Sequence, residues 1–294
     1  MGTVYEALKK SEQEQQQAAL NGLRVDGLGA GAAAAKQDEN EFDFVDYSLN
    51  APSATEIERV QQEIAASSLT RRSEVKPARE INLDVTRIDP HLVTFYDFDP
   101  RASDQYNQMA TALISAASER RLRRVLIASA QPGEGRTCVT LNLACALASA
   151  KQRVLVVDTD LRKPSVMRLL GLEAEVGIAE ALAQELPAGA AAVKVQPYGF
   201  AVLPVRERVE HPAQLLASPS FRQMLGDFEP DYDFMLFDSS PLLSTGDSTL
   251  LTRLTDATLM VILSGKTYSK HLDKAIAPFS EDNIFGVVIN RAEQ

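Results

Sequence analysis

Residues 125–137 read Val-Leu-Ile-Ala-Ser-Ala-Gln-Pro-Gly-Glu-Gly-Arg-Thr: an apolar run, a glycine-rich turn, then the opening of a helix. The run Val125–Ala128 has no polar alternation, which predicts a short strand buried on both faces. Gly133 and Gly135 let the backbone curl so that successive N–H groups converge on an anion. The helix starting near Thr137 adds the positive end of its dipole. Residues 130–137 therefore read as a phosphate cradle, with the Thr137 hydroxyl suited to Mg²⁺. The lysine of the usual G-x-x-x-x-G-K-[ST] pattern is Arg136 here. Arginine keeps the charge and can fork to two oxygens, but it is bulkier than lysine and is no compact point charge. The plain alternative is a glycine-rich turn at a helix start.

Outward from the cradle, the apolar run Val154–Val157 ends in Asp158-Thr159-Asp160-Leu161-Arg162. Two carboxylates one residue apart at a strand end suit a metal-bound water and the activation of a hydroxyl. An N-cap at Asp160 is the plain alternative. A third apolar run, Phe234–Phe237, ends in Asp238-Ser239-Ser240-Pro241, the arrangement by which P-loop enzymes hold Mg²⁺. Each motif is weak alone, whereas three strand ends in this order predict a nucleotide–Mg²⁺ site.

The surrounding pattern alternates. Helices are expected at 102–117, 137–150, 165–170 and 178–185. Further strands are expected at 200–203, 257–263 and 286–289. Continuous apolar strands separated by helices predict an α/β fold, a P-loop three-layer sandwich on a mostly parallel central sheet. Ligands on such sheets sit at the carboxyl ends of the strands. This nucleotide-binding domain is assigned to residues 81–294, with 81–100 as an extended strap over its surface. Residues 1–80 read as a largely disordered arm with short helices, because they carry low-complexity sequence (Gly27–Ala35), an acidic stretch (Asp38–Asp46) and too few apolar points for a core.

The net charge of −10 argues against a broad nucleic-acid-binding face. Arg120, Arg121, Arg123 and Arg124 read as a solvated helix end. The two cysteines, Cys138 and Cys145, are seven residues apart. That puts them about 10 Å apart along a helix, too far for a disulfide. With neither an apolar run of membrane-spanning length nor a signal-peptide pattern, the expected location is cytoplasmic, peripheral at the inner membrane only through a partner.

The chain resembles the bacterial tyrosine autokinases of capsule and exopolysaccharide biosynthesis. The resemblance rests on Pro132–Thr137, Asp158-x-Asp160-Leu161-Arg162-x-Pro164 and Leu169–Leu172 through Gly177. It rests further on His211–Ser218, Tyr232–Pro241 with Asp247, and Gly286–Asn290. The opening Val4–Lys10 is also similar to the start of soluble members. The resemblance implies ATP and Mg²⁺ as cofactors, a homo-oligomer, and a membrane-anchored polysaccharide chain-length regulator as partner. By motif position, Gln131, Pro132, Gly133, Glu134, Gly135, Arg136, Thr137 and Cys138 would surround the phosphates, and Asn290 would approach the adenine. Arg136, Asp158 and Asp160 would be catalytic, and Thr137, Asp160 and Asp238 would hold the metal.

The chain departs from the family pattern at several points. Besides Arg136, Ser240 replaces the first proline of Asp-x-Pro-Pro. The family's Glu-x-x-Arg-x-x-Arg pattern would fall on Asp104, Asn107 and Ala110, without either arginine. No tyrosine-rich tail follows Asn290. Of the seven scattered tyrosines, Tyr5 and Tyr47 in the arm are the expected accessible ones. These departures keep a second reading in view, a catalytically weak nucleotide-binding scaffold of the same machinery. A partition or positioning ATPase is a third reading, disfavoured by Gln131, which stands where those proteins carry an extra lysine.

Overall fold

The computed structural model describes residues 79–96, 99–280 and 283–291. The expected arm, apart from Arg79 and Glu80, lies outside the described residues, as do Tyr5 and Tyr47. Eight strands form one sheet: β1 (Arg79–Asn82), β2 (Arg124–Ser129), β3 (Val154–Asp158), β4 (Val193–Gln196), β5 (Phe200–Leu203), β6 (Phe234–Asp238), β7 (Ala257–Leu263) and β8 (Ile284–Asn290). Their order is β1-β4-β5-β3-β6-β2-β7-β8. Every pairing is parallel except β4 with β5.

The helices are α1 (Pro100–Glu119), α2 (Arg136–Ser149), α3 (Val166–Leu170), α4 (Ile178–Ala183), α5 (Pro212–Ala217), α6 (Pro219–Phe228), α7 (Asp247–Leu251) and α8 (Ser269–Ile276). Alternate residues of the central strands feed two cores. Val125, Ile127, Val154, Val156, Phe234 and Leu236 pack with α1, α2 and α3. Leu126, Ala128, Leu155, Val157, Met235 and Phe237 pack with α4, α6 and α8. Burial on both faces is why these strands are continuous apolar runs, and the result is the expected three-layer α/β sandwich.

Local signals start the helices where the sheet needs them. Pro100 occupies the first turn of α1, and the Asp99 carboxylate caps it by accepting the Ala102 N–H at 3.1 Å. Ser218 does the same for α6 through the Phe221 N–H.

The segment expected as a surface strap is built differently. Its first residues extend the sheet edge as part of β1. Ile88, Leu92 and Phe95 are then buried in the core on the α2 side. Their apolar side chains gain more from that burial than an overlying strap would offer, and Asn142 of α2 fixes the path by accepting the Thr94 N–H at 3.0 Å.

The arginine run caps the opposite edge of the sheet from the cradle. Arg121 pairs with Glu229 at 2.6 Å, and the Arg123 and Arg124 N–H groups donate to the Asp256 carboxylate at 2.9 and 2.8 Å. Cys138 and Cys145 are free thiols on α2, and burial pushes Cys138 up to about 11. No helix among the described residues is long and apolar enough to cross a membrane.

Candidate nucleotide site

The cradle joins the end of β2 to the start of α2. Gly133 (φ +81°) and Gly135 (φ +94°) take left-handed backbone that a side chain would strain. At Gly135 space excludes a side chain as well, since a Cβ there would lie 2.0 Å from the Asn290 amide nitrogen. Asn290, the last residue of β8, donates to the Glu134 carbonyl at 3.0 Å and so braces the loop from the far side of the sheet. The Glu134 carboxylate is buried. One oxygen accepts the Gln131 N–H at 2.7 Å and the other accepts the Thr267 hydroxyl, from the loop between β7 and α8.

Three carboxylates meet below the cradle. β3 and β6 are in register with Asp158 opposite Asp238, so the two strand ends bring these groups together. Both are fully buried, and Asp160 is nearly so. The Thr137 hydroxyl, in the first turn of α2, donates to Asp238 Oδ2 at 2.7 Å and lies 2.9 Å from the Ser165 hydroxyl. Thr140 adds a longer contact to Asp238 Oδ1 at 3.4 Å.

Burial pushes Asp238 up to about 6, against the opposing pull of Arg136 and the Thr137 hydroxyl. Burial also holds Asp158 well above the usual carboxylate range, reinforced by the charges of Asp238 and Asp160. Asp160 is raised by burial too, although the Lys163 N–H and Arg136 oppose the shift. Asp158 Oδ1 accepts the Asp160 N–H at 3.2 Å, but its buried Oδ2 has no hydrogen-bond partner. An orphaned, buried carboxylate oxygen of this kind calls for an explanation such as a cation or a catalytic role.

Arg136 lies beneath the loop. Its guanidinium donates to the Ser239 carbonyl at 2.9 Å, to the Ser129 hydroxyl and to the Gln131 carbonyl at 3.2 Å, and stands 3.6 Å from Asp160. Arg162 reaches Asp247 of α7 at 2.6 Å and anchors the chain leaving β3.

The structure thus gathers Gln131, Glu134, Gly135, Arg136, Thr137, Asp160, Asp238 and Asn290 into one connected network with Asp158, at the carboxyl ends of the strands. Pro132 and Gly133 form the crest of the turn. Cys138 is half-buried on α2, and its carbonyl accepts from Asn142. Ser165, Thr267 and Ser129 also belong to the network, and motif reading did not single them out. Among the described residues no three His, Cys, Asp or Glu side chains form a ready metal cage. Mg²⁺ in phosphate sites needs none, because it keeps its waters and takes one or two protein oxygens. The Thr137–Asp238 pair and the orphaned Asp158 oxygen fit such an ion.

Fold and site together define a P-loop nucleotide-binding domain. The ParA family, described as NUBPL iron-transfer P-loop NTPases, matches residues 121–292. The chain belongs to this P-loop NTPase family and, within it, to the bacterial tyrosine-protein kinases. It is 31% identical over 190 residues to tyrosine-protein kinase YwqD of Bacillus subtilis (strain 168), covering 64% of this chain and 80% of that one. It is 29% identical over 194 residues to succinoglycan biosynthesis transport protein ExoP of Rhizobium meliloti (strain 1021), covering 63% of this chain but 24% of that one. The solved kinase domain of the Escherichia coli tyrosine kinase ETK matches with a TM-score of 0.64 and 27% identity, over 72% of this chain and 85% of that domain. The chain spans about a third or less of the longer kinases it matches.

Proposed function

We propose that the chain binds ATP with Mg²⁺ in the 130–137 cradle and transfers the terminal phosphoryl group to tyrosine, as an autokinase of exopolysaccharide or capsule synthesis or export. The observation that carries this reading is the Thr137–Asp238 contact at 2.7 Å, set below a glycine cradle and beside two further buried carboxylates. Mg²⁺ would be held by Thr137 and Asp238 with Asp160 nearby, and it supplies neutralisation of the phosphate charge. The backbone N–H groups of the cradle and the start of α2 orient the phosphates. Burial holds Asp158 well above the ordinary carboxylate range and raises Asp160, so both are stronger bases than a free aspartate and suit acceptance of the tyrosine hydroxyl proton. The biosynthetic setting is supported by relatives such as ExoP. The family resemblance supplies the expected partner, a membrane-anchored chain-length regulator that would bring the chain to the inner membrane.

The Arg136 geometry favours a second reading, a nucleotide-binding scaffold with weak turnover. The guanidinium is committed to three protein oxygens and Asp160, and in that position it stabilises the loop from below. Autophosphorylation with Mg·ATP, wild type beside Arg136→Lys, separates the two. Phosphotyrosine from the wild type supports the kinase. An inactive wild type that binds Mg·ADP and gains activity on Arg136→Lys supports the scaffold.

A further inference from the structure

Resting on the kinase reading, we propose that Tyr268 is a phosphoryl acceptor on this chain. Of the described tyrosines it is the only exposed one, with 63% of its surface open to solvent, the others being half-buried or buried. The others are tied down. The Tyr96 hydroxyl donates to the Val85 and Ile88 carbonyls at 2.9 and 2.8 Å, and the Tyr198 hydroxyl donates to the Phe95 carbonyl at 3.2 Å. Tyr106 is half-buried and Tyr232 buried, and desolvation pushes both up to about 12, which makes their hydroxyls poor nucleophile precursors. Tyr232 also precedes β6, at the sheet edge away from the cradle.

Tyr268 stands on the ligand edge, where the chain leaves β7. It directly follows Thr267, whose hydroxyl bonds the cradle residue Glu134. It is the N-cap residue of α8, and its ring makes edge contact with His271 and lies 5.8 Å from the Lys270 ammonium. Lys266 and Lys270 are exposed on either side of it. This basic setting draws the loop toward a site that carries nucleotide phosphates, and it favours the product. A phosphate at the start of an eight-residue helix, between two lysines, meets the positive helix end and two ammonium groups.

In the transfer, the Tyr268 phenolic oxygen forms a bond to the terminal phosphorus of ATP. The bond from that phosphorus to the bridging oxygen breaks, ADP leaves with the electron pair, and the phenolic proton passes to an active-site carboxylate and then to solvent.

The test is incubation of the full chain with Mg·ATP, mapping of phosphotyrosine by mass spectrometry, and the same assay on Tyr268→Phe. A tyrosine-containing copolymer serves as an external acceptor, and Mg·ADP binding checks that the variant is folded. The expected result is a phosphorylated peptide containing Tyr268, with loss of most chain-borne phosphotyrosine in Tyr268→Phe and unchanged phosphorylation of the copolymer. Phosphotyrosine only at other positions, Tyr5 or Tyr47 included, overturns the assignment and leaves the kinase reading standing. Absence of phosphotyrosine on both chain and copolymer overturns the kinase reading and the assignment with it.

Discussion

Replacing Asp238 by asparagine should change how stability depends on pH. The carboxyl is fully buried and sits at about 6 in the folded protein against 3.8 as a free side chain. A carboxyl raised in this way binds its proton more tightly when folded. Its effect on unfolding free energy is therefore a decline as pH climbs from near 4 to near 6, levelling above that. The size is about 3 kcal/mol, at about 1.4 kcal/mol for each pH unit between the two values. Asp158 shares the same buried space, so the protons leave the pair in two macroscopic steps. Other carboxylates work in the opposite sense: the Arg153 hydrogen bonds hold Asp233 low, which favours the fold as pH rises. Only the difference between variant and wild type isolates the site. Asparagine preserves the shape and can still accept the Thr137 hydroxyl. Urea unfolding followed by circular dichroism from pH 4 to 7.5 should show the variant gaining about 3 kcal/mol on the wild type across the range. Saturating Mg·ADP should erase most of that gap by stabilising only the wild type's ionised carboxylates. Stability curves that stay parallel with pH would refute the assignment of a carboxyl raised by burial to this strand end.

Two further substitutions probe the loop. Thr137→Ala removes the hydroxyl that bridges Asp238 and Ser165, and should weaken Mg·ADP binding about tenfold, the equivalent of one lost hydrogen bond to a buried charge. Thr137→Ser should bind as the wild type does, and isothermal titration calorimetry reads both. Gly135→Ala places a methyl group 2.0 Å from Asn290 on left-handed backbone, and should lower stability by about 1–3 kcal/mol in thermal unfolding. Adding Asn290→Ala should recover the steric part of that loss while the backbone part remains.

How much of this was legible in the sequence follows from burial. β3, β5, β6 and β7 lie within a residue of the expected runs because both faces of each are covered, which forces uninterrupted apolar sequence. At the sheet margin β1 (Arg-Glu-Ile-Asn) is almost wholly exposed and β4 (Val-Lys-Val-Gln) buries only alternate residues, so their short mixed sequences carry no comparable signal. Helices α5, α6, α7 and α8 were not assigned from periodicity, although His211–Ser218 entered as a motif. At the site, the aspartates at strand ends were visible because strand-end position follows directly from the apolar run before it. The Glu134–Thr267 bond joins residues 133 positions apart, and the Thr137–Ser165 contact spans 28. Such pairings depend on strand order, which no local pattern encodes.

The position of Arg136 has a physical logic that bears on the choice between kinase and scaffold. β3, β6 and β2 are neighbours in the sheet. The guanidinium touches the chain at the end of each: Asp160 just past β3, the Ser239 carbonyl just past β6, and Ser129 closing β2. A lysine ammonium in the same place is a single point and cannot span all three with directed hydrogen bonds, whereas the planar fork can. Arginine therefore fastens the strand ends under the cradle and offsets part of the negative charge of the three aspartates. Removing a buried cation of this kind without replacement costs about 3–5 kcal/mol. A guanidinium held this way reaches the phosphates only if nucleotide and Mg²⁺ relieve the aspartates it now faces. On the kinase reading, turnover would then depend on metal binding releasing the arginine, and the Arg136→Lys comparison should show its largest difference in the Mg²⁺ concentration needed for half-maximal activity, not in nucleotide affinity alone.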